Sequence, residues 1–361
     1  MSQSPVRVLV VDDSAVVRNI LTTELAKHPL IDVIGTAPDP YVARDKIIQD
    51  APDVLTLDIE MPRMDGLTFL EKLMKSKPMP VVILSTLTPA GCDIALRALQ
   101  IGAIDVIHKP ELDVSYKLSE MMGRVVDSII AAHAAKPKIV SSQRRVQTTP
   151  RSYVNQSAMI KTTDKVVAIG ASTGGTEAIR SILPLLPANF PGIVMTQHMP
   201  ANFTKSFAHS LNRTCAIEVK EAEHNDTVRP GLALLAPGNF HMTTRRSGAR
   251  YYVEVVDGPM VHHQRPAVDI LFDTVAKYVG SNAIGVILTG MGKDGAKGLL
   301  KMREAGAITI GQDEQSSVVY GMPRVAYEIG AVEKVLPLDR IAGELMRLVS
   351  DRNGKLSLQE K

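Results

Sequence analysis

Three side chains able to cleave an ester or amide lie beyond residue 165 of this 361-residue chain. Ser172 stands in Gly170-Ala171-Ser172-Thr173-Gly174-Gly175, His198 follows Gln197, and Asp294 closes Thr289-Gly290-Met291-Gly292-Lys293-Asp294. A serine hydroxyl is a poor nucleophile at neutral pH unless a base takes its proton, and a carboxylate behind a histidine fixes its tautomer and stabilises the imidazolium. The turn after Ser172 and the glycines around Met291 offer backbone N–H groups to a developing oxyanion. Each residue alone has a plainer reading, as a helix cap, a structural histidine or a turn residue. A second set, Asp12, Asp13, Asp58, Ser85 and Lys109, lies in the first half. Three carboxylates held together repel one another unless a cation joins them, and an all-oxygen set favours Mg²⁺. Asp58 can then attack a phosphoryl donor to give an acyl phosphate. Lys109 can pair with the added charge, and Ser85 can hydrogen-bond to one of its oxygens.

Both sets sit at the ends of apolar runs. In the first half, the runs 6–11, 32–36, 54–57, 81–84 and 103–107 alternate with helical patterns over 15–28, 40–50, 67–75, 89–101 and 114–133. Five βα units with short connections predict a doubly wound parallel sheet, whose strand ends collect along one edge. The second half repeats the theme: 166–171 runs into Ser172, 192–197 into His198, and 283–288 into the loop of Asp294. Helical patterns cover 178–186, 203–211, 268–279, 296–304 and 338–349, with a last strand near Ile308. Residues 215–260 read as short strands and turns, with 216–220, 232–235 and 251–256 the best candidates. The expected fold class is therefore α/β, two doubly wound parallel-sheet domains, with Ser172, His198 and Asp294 on one edge.

Length supports two domains, because single cores stop growing near ~250–300 residues. Residues 136–164 hold six bases against one acid, a local +5 within a net charge of +3. This Ser/Thr/Gln/Pro-rich stretch lacks periodicity and reads as a basic flexible linker, for which a solvated tether is the plain reading. Cys92 and Cys215 match no metal or disulfide spacing, and no apolar run approaches the ~18 residues that span a bilayer, so a cytoplasmic location is expected.

Gly170-Ala171-Ser172-Thr173-Gly174 also satisfies G-x-S-x-G, the α/β-hydrolase elbow, but those enzymes run Ser, acid, His, and the last histidine here is His263. Asp257 with His262 or His263 would restore that order, although these residues follow no convincing parallel strand. A dinucleotide turn fails on its glycine spacing and on the missing acid about 20 residues on.

The five strand-end residues and the run Asp58-Ile59-Glu60-Met61-Pro62-Arg63-Met64-Asp65-Gly66 resemble the receiver domain of bacterial response regulators. The resemblance implies a flavodoxin-like fold, Asp58 as phosphoacceptor, Ser85 and Lys109 as phosphate contacts, and Mg²⁺ held by Asp12, Asp13, Asp58 and the backbone of Glu60. Val106 stands where receivers often carry an aromatic switch, and Pro110 where they usually have a cis peptide. The Ser172 turn, Gln197-His198-Met199-Pro200, Ala236-Pro237-Gly238, Arg265-Pro266 and the Asp294 loop together resemble the chemotaxis protein-glutamate methylesterase family, whose members often have Ser where this chain has Ala267. That resemblance implies a Rossmann-like catalytic domain with Ser172 as nucleophile, His198 as base, Asp294 as orienting acid, and Thr173 and Met291 near the oxyanion. It implies no cofactor at the esterase site. Expected partners are methyl-accepting chemotaxis receptors, through which alone the protein would meet the membrane, and a chemotaxis histidine kinase as phosphodonor. The domains expected are residues 1–130 (receiver), 131–164 (linker) and 165–351 (catalytic), with a tail over 352–361. Two other classes compete: a DNA-binding regulator, for which no compact helix-turn-helix or basic recognition helix is present, and a non-catalytic adaptor whose Ser172 turn binds an anion. No nucleic acid is expected.

Overall fold

A computed structural model describes residues 4–85, 88–109, 115–142 and 165–350. In the first domain, strands β1 (Val6–Val11), β2 (Ile31–Ala37), β3 (Val54–Asp58), β4 (Val81–Ser85) and β5 (Asp105–His108) alternate with helices α1 (Ala15–Leu25), α2 (Pro40–Asp50), α3 (Gly66–Ser76), α4 (Pro89–Ile101) and α5 (Ser115–Ser142). The strands form one parallel sheet in the order β2-β1-β3-β4-β5. Every residue of β3 and β4 is buried, as a parallel sheet covered on both faces requires. Helix starts are fixed locally: Ser14, Asp39, Asp65 and Thr88 each accept a backbone N–H of the following turn, and Pro40 and Pro89 open α2 and α4.

Helix α5 continues to Ser142 instead of ending near residue 133, so it enters the stretch read as linker. The alanines at 131, 132, 134 and 135 are the best helix formers and carry it forward. Residues 143–164, Pro110 and the tail lie outside the described residues.

The second domain contains β6 (Val166–Ala171), α6 (Gly175–Ile182), β7 (Gly192–Gln197), α7 (Phe203–Asn212), β8 (Glu218–Glu221), β9 (Thr227–Val228), β10 (Leu232–Leu235), β11 (His241–Ser247) and β12 (Arg250–Val256). It continues through α8 (Val268–Tyr278), β13 (Ala283–Ile287), α9 (Ala296–Glu304), β14 (Ile308–Gln312), α10 (Met322–Glu328), β15 (Lys334–Leu336) and α11 (Leu338–Ser350). Seven strands form a parallel sheet in the order β15-β14-β13-β6-β7-β10-β8. The fully buried β13, β6 and β7 are adjacent at its centre. Residues 215–260 divide in two: β8 and β10 extend this sheet, whereas β11, β12 and β9 form a separate antiparallel sheet. The polar sequence of β11 hides it from a hydrophobic pattern, and β15 and α10 are too short to show a period.

The domains pack directly. Helix α4 lies on α7 and touches α6, and one apolar cluster runs from Leu96, Leu99 and Val106 to Phe203 and Phe207. This packing brings β5 and α5 over the edge of the second sheet where β6 and β7 end.

Candidate active site

Ser172 and His198 follow directly on the paired strands β6 and β7, and the pairing extends past both ends because the His198 N–H donates to the Ala171 carbonyl at 3.1 Å. The Ser172 N–H donates to the Thr289 carbonyl at 3.0 Å, tying the Ser172 turn to the loop after β13. His198 and Asp294 are 8 % and 2 % exposed, so neither has water to compete for its partner. Their contact is short, with Nε2 of His198 2.7 Å from Oδ2 of Asp294.

Asp294 also caps a helix. Its Oδ2 accepts the Val268 N–H at 2.7 Å and its Oδ1 the Asp269 N–H at 2.9 Å, at the start of α8. Ala267, in the cap position itself, has no side chain able to do this. Burial works against the charged carboxylate, but the His198 bond and the two helix N–H groups outweigh it and hold Asp294 below the usual carboxylate range. The acid therefore remains an anion wherever histidines titrate. As the acceptor of Nε2–H it fixes the tautomer, which leaves Nδ1 of His198 as the basic nitrogen, buried and without a hydrogen-bond partner. Ser172, Thr173, His198, Met291 and Asp294 line one cavity of about 120 Å³. The backbone N–H groups of Thr173 and Met291 make no hydrogen bond among the described residues.

Two alternatives meet contrary geometry. The positive φ of the Gly170–Gly174 turn falls on Gly174 at 76° and not on the serine, unlike a strained nucleophile elbow. Asp257 is bound to Arg265 at 2.8 Å, whereas His262 lies 3.3 Å from Asp269, so the acid of the reordered triad is engaged elsewhere.

A model of the CheB methylesterase domain matches residues 167–345, and one of the response regulator receiver domain matches residues 8–117. A protein-glutamate methylesterase/protein-glutamine glutaminase of Syntrophus aciditrophicus is 58% identical over 346 residues, covering 96% of this chain and 100% of the relative. One from Anaeromyxobacter dehalogenans is 55% identical over 352 residues, covering 97% and 96%. The crystal structure of the Thermotoga maritima CheB methylesterase catalytic domain superposes with a TM-score of 0.51 at 42% identity, covering 52% of this chain and 99% of that one. The chain belongs to the CheB methylesterase family. With the receiver in front, this family member is a response regulator whose effector domain is a carboxylic ester hydrolase.

The receiver residues of this methylesterase also converge. Lys109 Nζ lies 2.6 Å from Asp58 and 3.0 Å from Asp12, and oxygens of Asp12, Asp13 and Asp58 lie within 4.8 Å of one another. Burial pushes Asp58 up to about 6 despite its Lys109 pair, and the Glu60 N–H holds its Oδ1 at 3.1 Å. Ser85 is buried at the end of β4, with its Oγ 3.3 Å from the Gly91 carbonyl.

Other residues of the esterase domain hold Ser172, His198 and Asp294 in place through contacts that sequence reasoning does not reveal. Gln197 donates from Nε2 to the carbonyls of Ser172 and His198, at 2.9 and 3.1 Å, locking the Ser172 and His198 turns together. Thr289 takes the Val319 N–H on its hydroxyl at 2.9 Å, and its own N–H goes to Oε1 of Gln312 at 2.8 Å. Asp269 accepts the Gly298 N–H at 2.7 Å, and burial, with Asp294 nearby, raises it above the usual range. His262, Asp269 and Asp294 bring ligand atoms within 4.8 Å, but N–H donors already occupy both carboxylates.

Gly290 has a packing role with a measurable consequence. A Cβ there would stand 2.6 Å from Cβ of Ser172 and 2.4 Å from Sδ of Met322. Gly290→Ala is expected to displace Ser172 and lower turnover by about 10²-fold, since a ~1 Å misplacement has that effect. Methyl ester hydrolysis, beside a far-ultraviolet spectrum reporting the intact fold, checks it.

Proposed function

We propose that Ser172, His198 and Asp294 hydrolyse the methyl esters of glutamyl side chains on the cytoplasmic helices of methyl-accepting chemotaxis receptors. The observation that carries this reading is the buried His198, held by Asp294 through Nε2 with Nδ1 unpartnered, in a residue that lines one cavity with Ser172. Nδ1 removes the hydroxyl proton as Oγ bonds to the ester carbonyl carbon, and the oxyanion meets the N–H groups of Thr173 and Met291. The proton on Nδ1 passes to the methoxy oxygen as the C–O bond breaks, releasing methanol and leaving an acyl-serine. Water, deprotonated by the same nitrogen, attacks the acyl carbon, and Oγ leaves with that proton, giving glutamate and free Ser172. Receptor glutamine follows the same route with ammonia as leaving group.

Regulation rests on the other domain. Asp105, Arg124, Asp127 and Ser128 of the receiver line the Ser172 cavity, so substrate access needs the domains to separate. Phosphorylation of Asp58 by a chemotaxis histidine kinase shifts the pair toward an open arrangement, through different affinities of the two arrangements for the phosphoryl group. Asp12, Asp13 and Asp58 with the Glu60 carbonyl fit an all-oxygen site for Mg²⁺, and their clustered carboxylates suit that hard cation. When bound, Mg²⁺ neutralises charge on the transferring phosphoryl group. Lys109, already between Asp12 and Asp58, pairs with the added charge, while Ser85 offers its hydroxyl. Among the described residues no helix is long and apolar enough to cross a membrane, and we place the protein in the cytoplasm, meeting the bilayer only through receptors.

Methanol release from methyl-labelled receptor membranes tests both parts. Wild type is expected to release methanol and to accelerate when a small phosphodonor is added, whereas Asp58→Asn should stay at the basal rate. No methanol from wild type overturns the esterase reading, and equal stimulation of Asp58→Asn overturns the regulatory one.

A further inference from the structure

A trench of about 820 Å³ adjoins the catalytic cavity and shares His262, Met291 and Lys293 with it. Its two banks differ in origin. One is helix α5, where Arg124, Asp127 and Ser128 face the Ser172 cavity while Asp127, Ile130 and Ala134 face the trench. Those positions repeat at three- and four-residue spacing, the single stripe a helix presents to a groove. The receiver thus covers the site with α5 laid along it and Asp105 of β5 beside it.

The opposite bank belongs to the catalytic domain and sets two cations, Lys293 and Arg324, in a largely apolar wall that includes Met291, Val318, Val319 and Val325. His262, His263, Lys293 and Arg324 line it, against Glu314 as the catalytic-domain acid there. Lys293 is exposed, directly precedes the triad acid, and forms no ion pair among the described residues. Arg324 is also exposed and, among the described residues, is held by Glu328 at 3.8 Å, a weak surface pair. Across from them α5 presents Asp127, which lines both the trench and the Ser172 cavity. An acidic side chain on a helix is therefore what the trench accommodates in the closed arrangement.

We infer that this trench is the seat of the substrate helix, and that Lys293 and Arg324 select helices carrying carboxylates about one turn from the ester to be cleaved. The inference rests on the methylesterase reading above and adds to it the charge of the preferred substrate. α5 then acts as an internal occupant of the same seat, with Asp127 in the place of a substrate carboxylate. A basic bank beside a nucleophile raises the local concentration of acidic partners and rejects basic ones.

Two synthetic helical peptides distinguish the outcomes, each with a single glutamyl methyl ester, flanked one turn away on both sides by Glu in one and by Gln in the other. With the full-length, phosphodonor-treated chain, kcat/KM for the Glu-flanked peptide is expected to exceed that for the Gln-flanked one by about tenfold, and added salt should narrow the gap. Lys293→Glu should invert the preference and Lys293→Arg should keep it; Arg324→Glu, on a different element, gives an independent reading should the first variant fold poorly. A wild-type ratio near one, or a ratio that both charge reversals leave unchanged, overturns the inference. Absence of methanol from either peptide with wild type that is also inactive on receptor membranes overturns the underlying reading instead.

Discussion

Asp294→Asn is expected to lower methanol release by about 10⁴-fold, the scale seen when a triad acid loses its charge while the fold remains. The carboxylate serves three donors, Nε2–H of His198 and the N–H groups of Val268 and Asp269. An amide offers one acceptor oxygen, so at least one of those donors faces an NH₂ group. If the NH₂ faces His198, the imidazole turns to the tautomer with hydrogen on Nδ1, and the nitrogen assigned the base role can no longer take a proton. If the oxygen faces His198, the tautomer survives but the negative charge that stabilises the imidazolium is gone. The Asp269 N–H then also loses its acceptor. A thermal melt taken with the activity separates catalytic from structural loss, because an uncapped helix start costs about 1 kcal/mol, far less than the catalytic effect. The carboxylate also links stability to pH. Held below its usual range in the fold, it contributes stability that is present above about pH 4 and lost as pH falls through its lowered folded value.

Much of this site is legible before any coordinates because strand ends are easy to locate. The fully buried β6, β7 and β13 read as Val/Ile-rich runs that stop at small or polar residues, and parallel sheets gather such ends on one edge. Ser172, His198 and the loop of Asp294 follow from that rule, as do Asp12, Asp58, Ser85 and Lys109 in the first domain. Which nitrogen of His198 meets the acid does not follow, since it depends on the reach of the loop after β13. Gln197, Thr289 and Gln312 act largely through hydrogen bonds to other segments of the chain, and nothing in their local sequence marks the partner. The capping of α8 by Asp294 is likewise a contact between segments 25 residues apart or more. Val106 shows the same limit from the other direction. The sequence marks it only as lacking an aromatic ring, whereas in the fold it is buried and shares a small cavity with Ser172, Gln197 and His198.

Ser172→Ala removes the atom through which every step of the proposed reaction passes, and its effect should match or exceed that of Asp294→Asn. Without Oγ, His198 has no nucleophile to activate except water, and water is not held by the β6 turn at bonding distance from the carbonyl carbon. Residual acceleration from the Thr173 and Met291 N–H groups would remain, so the loss is expected to be about 10⁴-fold or more without reaching the uncatalysed rate. The fold should be unaffected: Ser172 holds its neighbours through its backbone, the N–H to Thr289 and the carbonyl to Gly175 and Gln197. The most direct measurement is therefore the rate of methanol release from methyl-labelled receptor membranes by phosphodonor-treated wild type and Ser172→Ala, side by side at equal concentration. Release by wild type with a loss of about 10⁴-fold in the variant is the expected result, and a variant that stays within about tenfold of wild type would contradict the serine mechanism.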